Sequence, residues 1–119
     1  MKPTSLLFVL ATFVGCHSAF VTKFDDTRYS PTNDVKVYSD LSTITEPYIE
    51  IGYVEAKGGL GVSKQTLLDD MKKEAKNQGA NALIKIEFYD RPRYDKTIGS
   101  YEKPAAKAVM IRFKSTLPK

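Results

Sequence analysis

Only one stretch of this chain has the apolar spacing of a helix, and that limits the fold more than any other feature. Leu67, Met71 and Ala75 recur at four-residue intervals with Leu68 beside them, while Asp70, Lys73, Glu74 and Lys76 fall on the other side. Ser63 stands where an N-cap belongs, and Gly79 supplies the left-handed residue that ends a helix. A lone helix with one apolar stripe has no helical partner, so a sheet must cover it. At 119 residues the chain has surface enough for one core and no more.

Period-two alternation supplies the sheet. Residues 35–38 read as a short strand. In 48–56, Ile49, Ile51 and Tyr53 oppose Tyr48, Glu50, Gly52 and Val54. In 82–89, Ile84, Ile86 and Phe88 oppose Lys85 and Glu87, and in 105–113, Val109, Ile111 and Phe113 oppose Ala106, Ala108 and Met110. The expected order is β-β-α-β-β, an α+β two-layer sandwich with one amphipathic helix packed on a small sheet, occupying residues 35–119.

The first 34 residues read differently. Lys2 is followed by an uncharged run, Leu6 to Gly15, of about ten residues, against the roughly 20 that a bilayer span requires. That length suits the apolar region of a signal peptide over residues 1–15. The run ends in Phe13-Val14-Gly15-Cys16, which resembles the bacterial lipobox, with Phe13 where Leu is usual. The expectation is cleavage before Cys16, acylation of its thiol and anchorage to a membrane; secretion after cleavage near Ser18 or Ala19 is the alternative. His17 in place of Asp resembles the sorting pattern for the outer membrane, facing the periplasm. Residues 16–34 have no sustained period and carry Ser, Thr, Asp, Asn and Pro, so they are expected to be an irregular lipid-anchored tether.

Cysteine and histidine counts exclude several chemistries. One Cys forbids an internal disulfide, so the core alone must hold the domain. One His and one Cys, adjacent at the cleavage point, make no zinc set, and no Asp/Glu spacing resembles a calcium loop. No Ser, Thr or Cys has a candidate base, so neither an enzyme nor a cofactor is expected. Without residues 1–15 the chain loses Lys2 and keeps 17 basic against 14 acidic side chains, a net charge of +3 spread along its length. No basic stripe forms, so nucleic acid is not an expected partner.

The stretch from Tyr48 to Tyr89 contains Ile51-Gly52-Tyr53-Val54, the helix, and then Gly79-Ala80-Asn81-Ala82-Leu83-Ile84. It resembles the core of a family of small bacterial heavy-metal-binding domains, and the fold of the envelope-stress sensor lipoprotein of the Rcs phosphorelay. The resemblance covers about 40 residues and implies the α+β fold. The sensor's disulfides and any soft-metal ligand set have no residues to match them in this chain. Within the G-A-N-A step, Gly79 caps the helix, Ala80 and Ala82 permit tight passage into the next strand, and Asn81 is expected to bond free carbonyls in the turn.

Other motifs carry weaker signals. The glycines at 58, 59 and 61 precede a helix, yet their spacing fits neither phosphate-binding loop pattern. Asp69, Asp70 and Glu74 alternate with Lys72, Lys73 and Lys76 as on an ordinary solvated helix face. Residues 90–104 read as a long polar loop combining Arg91, Arg93, Lys96 and Lys103 with Tyr94 and Tyr101, types enriched at recognition surfaces. They are the expected contact residues for an envelope protein partner, anionic headgroups or cell-wall polymer; a solvated hairpin tip is the plain alternative. An exposed edge strand would also permit homo-oligomers. Function is thus expected to be lipid-anchored binding or assembly in the cell envelope, or else sensing of envelope state through a ligand or ion.

Overall fold

A computed structural model describes residues 16–117, so the segment read as a signal peptide, 1–15, lies outside the described residues. The strands are β1 (His17–Lys23), β2 (Lys36–Val37), β3 (Tyr48–Gly58), β4 (Ala82–Asp95) and β5 (Gly99–Phe113), and the helix α1 spans Lys64–Asn77 between β3 and β4. They form one five-stranded sheet in the order β1-β3-β5-β4-β2. Its pairs are antiparallel except β2 with β4, which is parallel. The α+β sandwich is as the helix stripe requires, with one strand more than the alternation indicates.

Helix α1 behaves as its spacing predicts. Leu67, Met71 and Ala75 are fully buried against Val54, Ala56, Leu83, Ala106, Ala108 and Met110. Burying a side chain of Leu or Met size contributes about 1.5–3 kcal/mol, which makes this stripe the main tie between the layers. The Ser63 hydroxyl accepts from the Thr66 N–H at 3.2 Å. Gly79, at φ +85°, follows the C-cap Gln78; a Cβ there would lie 2.5 Å from Tyr29 Cβ and 2.8 Å from Ser30 O, so the site excludes any larger residue twice over.

Two β-bulges alter the expected faces. In β4 the register against β5 slips between Ile84 and Glu87, with Lys85 at φ +53° as the extra residue. Leu83 and Ile86 therefore share the helix side, while Ile84 packs on the other side with Val109, Ile111 and Phe113. Ile84 and Ile86 do not share a face as simple alternation implies. In β3 the slip lies between Glu50 and Gly52. Ile49, Ile51, Val54 and Ala56 all join the helix-side core, whereas Tyr53 is exposed. Strand β1 runs close to this bulge: a Cβ on Gly52 would stand 2.5 Å from Thr22 O.

The lead-in is not an irregular tether. Residues 17–23 pair in full with β3, from His17 opposite Gly58 to Lys23 opposite Gly52. Ala19 and Val21 pack toward the helix, and Phe20 remains exposed on the other face. Phe20 hides the alternation, because an apolar residue occupies an outward position. Residues 24–34 then cross to β2. Among them Thr32 Oγ1 donates to Ala80 O at 2.5 Å, and Tyr29 packs against the core.

Asn81 also differs from expectation. Its side-chain oxygen accepts, from Phe113 N–H at 2.8 Å and Thr116 Oγ1 at 3.1 Å, and so fastens the turn to the end of β5.

Candidate functional site

The segment 90–104 is not a loop. β4 and β5 stay paired from Asp90 opposite Pro104 to Asp95 opposite Gly99, leaving residues 96–98 as the turn. The Asp95 carboxylate accepts from Thr97 N–H at 2.7 Å and so closes that turn. Strand β3 stops at Gly58, level with Pro104. Beyond that row β4 and β5 continue as a two-stranded arm of five residue pairs, on the order of 17 Å long. Proline and mixed charge conceal the strands, since neither face of the arm covers a core.

Pairing divides the predicted contact residues between two faces. Arg91 lies opposite Lys103 and Arg93 opposite Tyr101, so these four share one face, together with Asp95. Tyr94, 72% exposed, lies on the reverse face with Asp90 and Glu102, and Lys96 is in the turn. The six predicted residues therefore do not form one patch; four do, and three of those are cations. Lys103 Nζ stands 6.0 Å from the Tyr101 ring centre. Arg91 is half-buried and donates through Nη2 to Gly58 O at 3.0 Å, which braces the arm against the end of β3.

The same end of the molecule carries Cys16. Its thiol-bearing residue is exposed and directly precedes β1, and its carbonyl accepts from Gly59 N–H at 2.8 Å. His17 Nδ1 meets the Asp70 carboxylate of α1. The one imidazole thus joins strand to helix through a hydrogen bond. Leu60, 63% exposed, tops the glycine-rich turn that begins at Gly59.

A concavity of about 580 Å³ lies on the sheet face opposite the helix, over Glu50, Glu55, Lys85, Glu87 and Lys107. Its three carboxylates already have partners: Glu50 with Lys85 at 3.3 Å, Glu87 with Lys107 at 3.3 Å, and Glu55 accepting from the Tyr89 hydroxyl at 3.0 Å. Burial raises the Tyr89 pKa above its ordinary value, and the Glu55 hydrogen bond adds to the effect.

Arg112 was not apparent as a structural residue, although its place in Ala106-Ala108-Met110-Arg112 marks an inward position. It is 7% exposed and donates to Gly79 O at 2.6 Å and Thr116 O at 2.9 Å, with Tyr29 stacked 5.2 Å from the guanidinium carbon.

Among the described residues no group of three or more His, Cys, Asp or Glu could hold a metal ion, and no helix is long and apolar enough to cross a membrane. No family model, curated protein or solved structure matches the chain.

Proposed function

We propose that the chain is a cell-envelope lipoprotein, anchored through acylated Cys16, whose α+β domain binds or assembles with an envelope component and carries out no catalysis. The observation that carries this reading is the position of Cys16. It is the one thiol of the chain, it follows an apolar run of signal-peptide length, and it is exposed at the first residue before the folded sheet. Acyl chains contribute about 0.8 kcal/mol per buried methylene, so two or more hold a protein stably on a bilayer.

Binding is favoured over catalysis because the one histidine is committed to Asp70 and the carboxylates of the open sheet face are paired. The braced arm with Arg91, Arg93, Tyr101 and Lys103 on one face is the surface best suited to contact.

The test is to express the full precursor in bacteria fed an alkyne-tagged fatty acid, beside Cys16→Ser. Tagged lipid on the first chain, with its recovery in membranes, and loss of both in the variant are expected. A mature, unlipidated chain free in the periplasm would overturn the reading.

A further inference from the structure

The arm and the anchor leave the sheet at the same end. β1 starts at His17 opposite Gly58, and the β4–β5 ribbon passes beyond Gly58 in the direction from which Cys16 enters. No residues lie between Cys16 and the first strand pair, so no linker separates the domain from whatever holds Cys16. We propose that the arm is a membrane-contact element: its Arg91, Arg93, Tyr101 and Lys103 face lies along the anionic headgroups of the bilayer that holds the acylated Cys16. This rests on the anchor reading given above.

The geometry leaves few other placements. With acyl chains attached at Cys16, Gly59 and Leu60 are held within the headgroup layer by the Gly59 N–H bond to the Cys16 carbonyl. An arm on the order of 17 Å long that projects past this point must enter the bilayer or tilt until it lies upon it. Its charged residues forbid the hydrocarbon, so it tilts. Charge then selects the face. Arg91, Arg93 and Lys103 stand against Asp95 on one side, whereas the reverse side presents Asp90 and Glu102. The cationic side meets lipid phosphate. Tyrosine suits the same layer, with an apolar ring and a wet hydroxyl, and the exposed Ile98 at the turn and Leu60 beside the anchor supply apolar contacts at its borders.

Site-specific labelling of the full lipidated chain tests this. Cys16 is the chain's one thiol, so once it is acylated a cysteine introduced as Arg93→Cys, Ile98→Cys or Lys76→Cys is the single position open to a thiol-reactive fluorophore. Each variant is purified from bacterial membranes and reconstituted into vesicles of phosphatidylethanolamine and phosphatidylglycerol bearing a headgroup quencher. Labels at 93 and 98 are expected to be quenched several-fold more than the label at 76, which lies at the distal end of α1. In the Ile98→Cys background, Arg93→Gln with Lys103→Gln, which leaves the Arg91 brace intact, is expected to reduce quenching, and phosphatidylcholine vesicles to do the same without any substitution. Equal quenching at 93, 98 and 76 in singly labelled, membrane-bound chains would overturn the proposal while leaving the anchor standing. Crosslinking of the arm to an envelope protein, without lipid quenching, would overturn it in favour of a protein partner. Two labels per chain would mean that Cys16 is free, which overturns the anchor and this proposal with it.

Discussion

The guanidinium of Arg112 donates to the carbonyl of Gly79 at 2.6 Å, joining the last residues of β5 to the turn after α1. Among the described residues no carboxylate takes part. Positive charge is instead placed against the carbonyl end of a helix, where the peptide dipoles favour it. Through Thr116 O and the Tyr29 ring the same side chain holds the turn after β5, residues 114–116, and the crossing segment 24–34.

Arg112→Met should therefore lower stability by about 2–4 kcal/mol, since charged hydrogen bonds to otherwise buried carbonyls are among the stronger ones. Arg112→Lys should recover part of that loss. Urea unfolding followed by circular dichroism measures both, and unchanged midpoints would show that the carbonyls find other partners.

Gly79→Ala places a Cβ on Tyr29 and imposes a positive φ on a residue that resists it. A loss of at least about 1–2 kcal/mol is expected from conformation alone, with the clash added. Gly61, also at positive φ but with open space around it, should lose only the conformational part when changed to Ala. Comparing the two variants in one denaturant series separates the contributions.

Lys85 is the extra residue of the β4 bulge, so its removal should leave every later side chain on its present face. The Lys85 deletion should fold, at a cost of about 1–2 kcal/mol. Deleting Lys107 from the regular stretch of β5 should invert Ala108 to Phe113 and abolish folding. Near-ultraviolet circular dichroism distinguishes the outcomes; a folded Lys107 deletion would contradict the register.

Tyr89 has its pKa raised, first by burial and then by the bond to Glu55. Its folded value lies above its unfolded one, so the folded state holds the phenol proton more firmly. That contribution is complete below the ordinary value of 10.0 and is lost as pH rises through the folded value. Tyr89→Phe should lower stability at neutral pH, where the bond to Glu55 is intact, and make alkaline unfolding less steep, so that the two proteins converge as pH rises. Identical alkaline titrations of the two proteins would remove Tyr89 from the account.

The helix was legible because its stripe, cap and terminating glycine agree, and β5 because Ala106, Ala108 and Met110 alternate with Val109, Ile111 and Phe113 between two buried faces. The faces of β3 and β4 were not, since a bulge adds one residue without changing composition. β1 is hidden in the sequence because Phe20 points outward, and the arm because a ribbon exposed on both sides needs no apolar period. Of the candidate site, the residue types Arg91, Arg93, Tyr101 and Lys103 were readable, and their common face was not. That depends on cross-strand register, which is fixed by the turn at 96–98.

The union of Cys16 with Gly59, and of His17 with Asp70, also sets an order of events on the lipoprotein reading. A peptidase that cut between Gly15 and Cys16 would have to work beside β1, which begins one residue later and is already paired with β3. Maturation must then precede the docking of β1, and a precursor that folded early would escape cleavage. The first strand would serve as a timer, closing the window for processing once the sheet is complete.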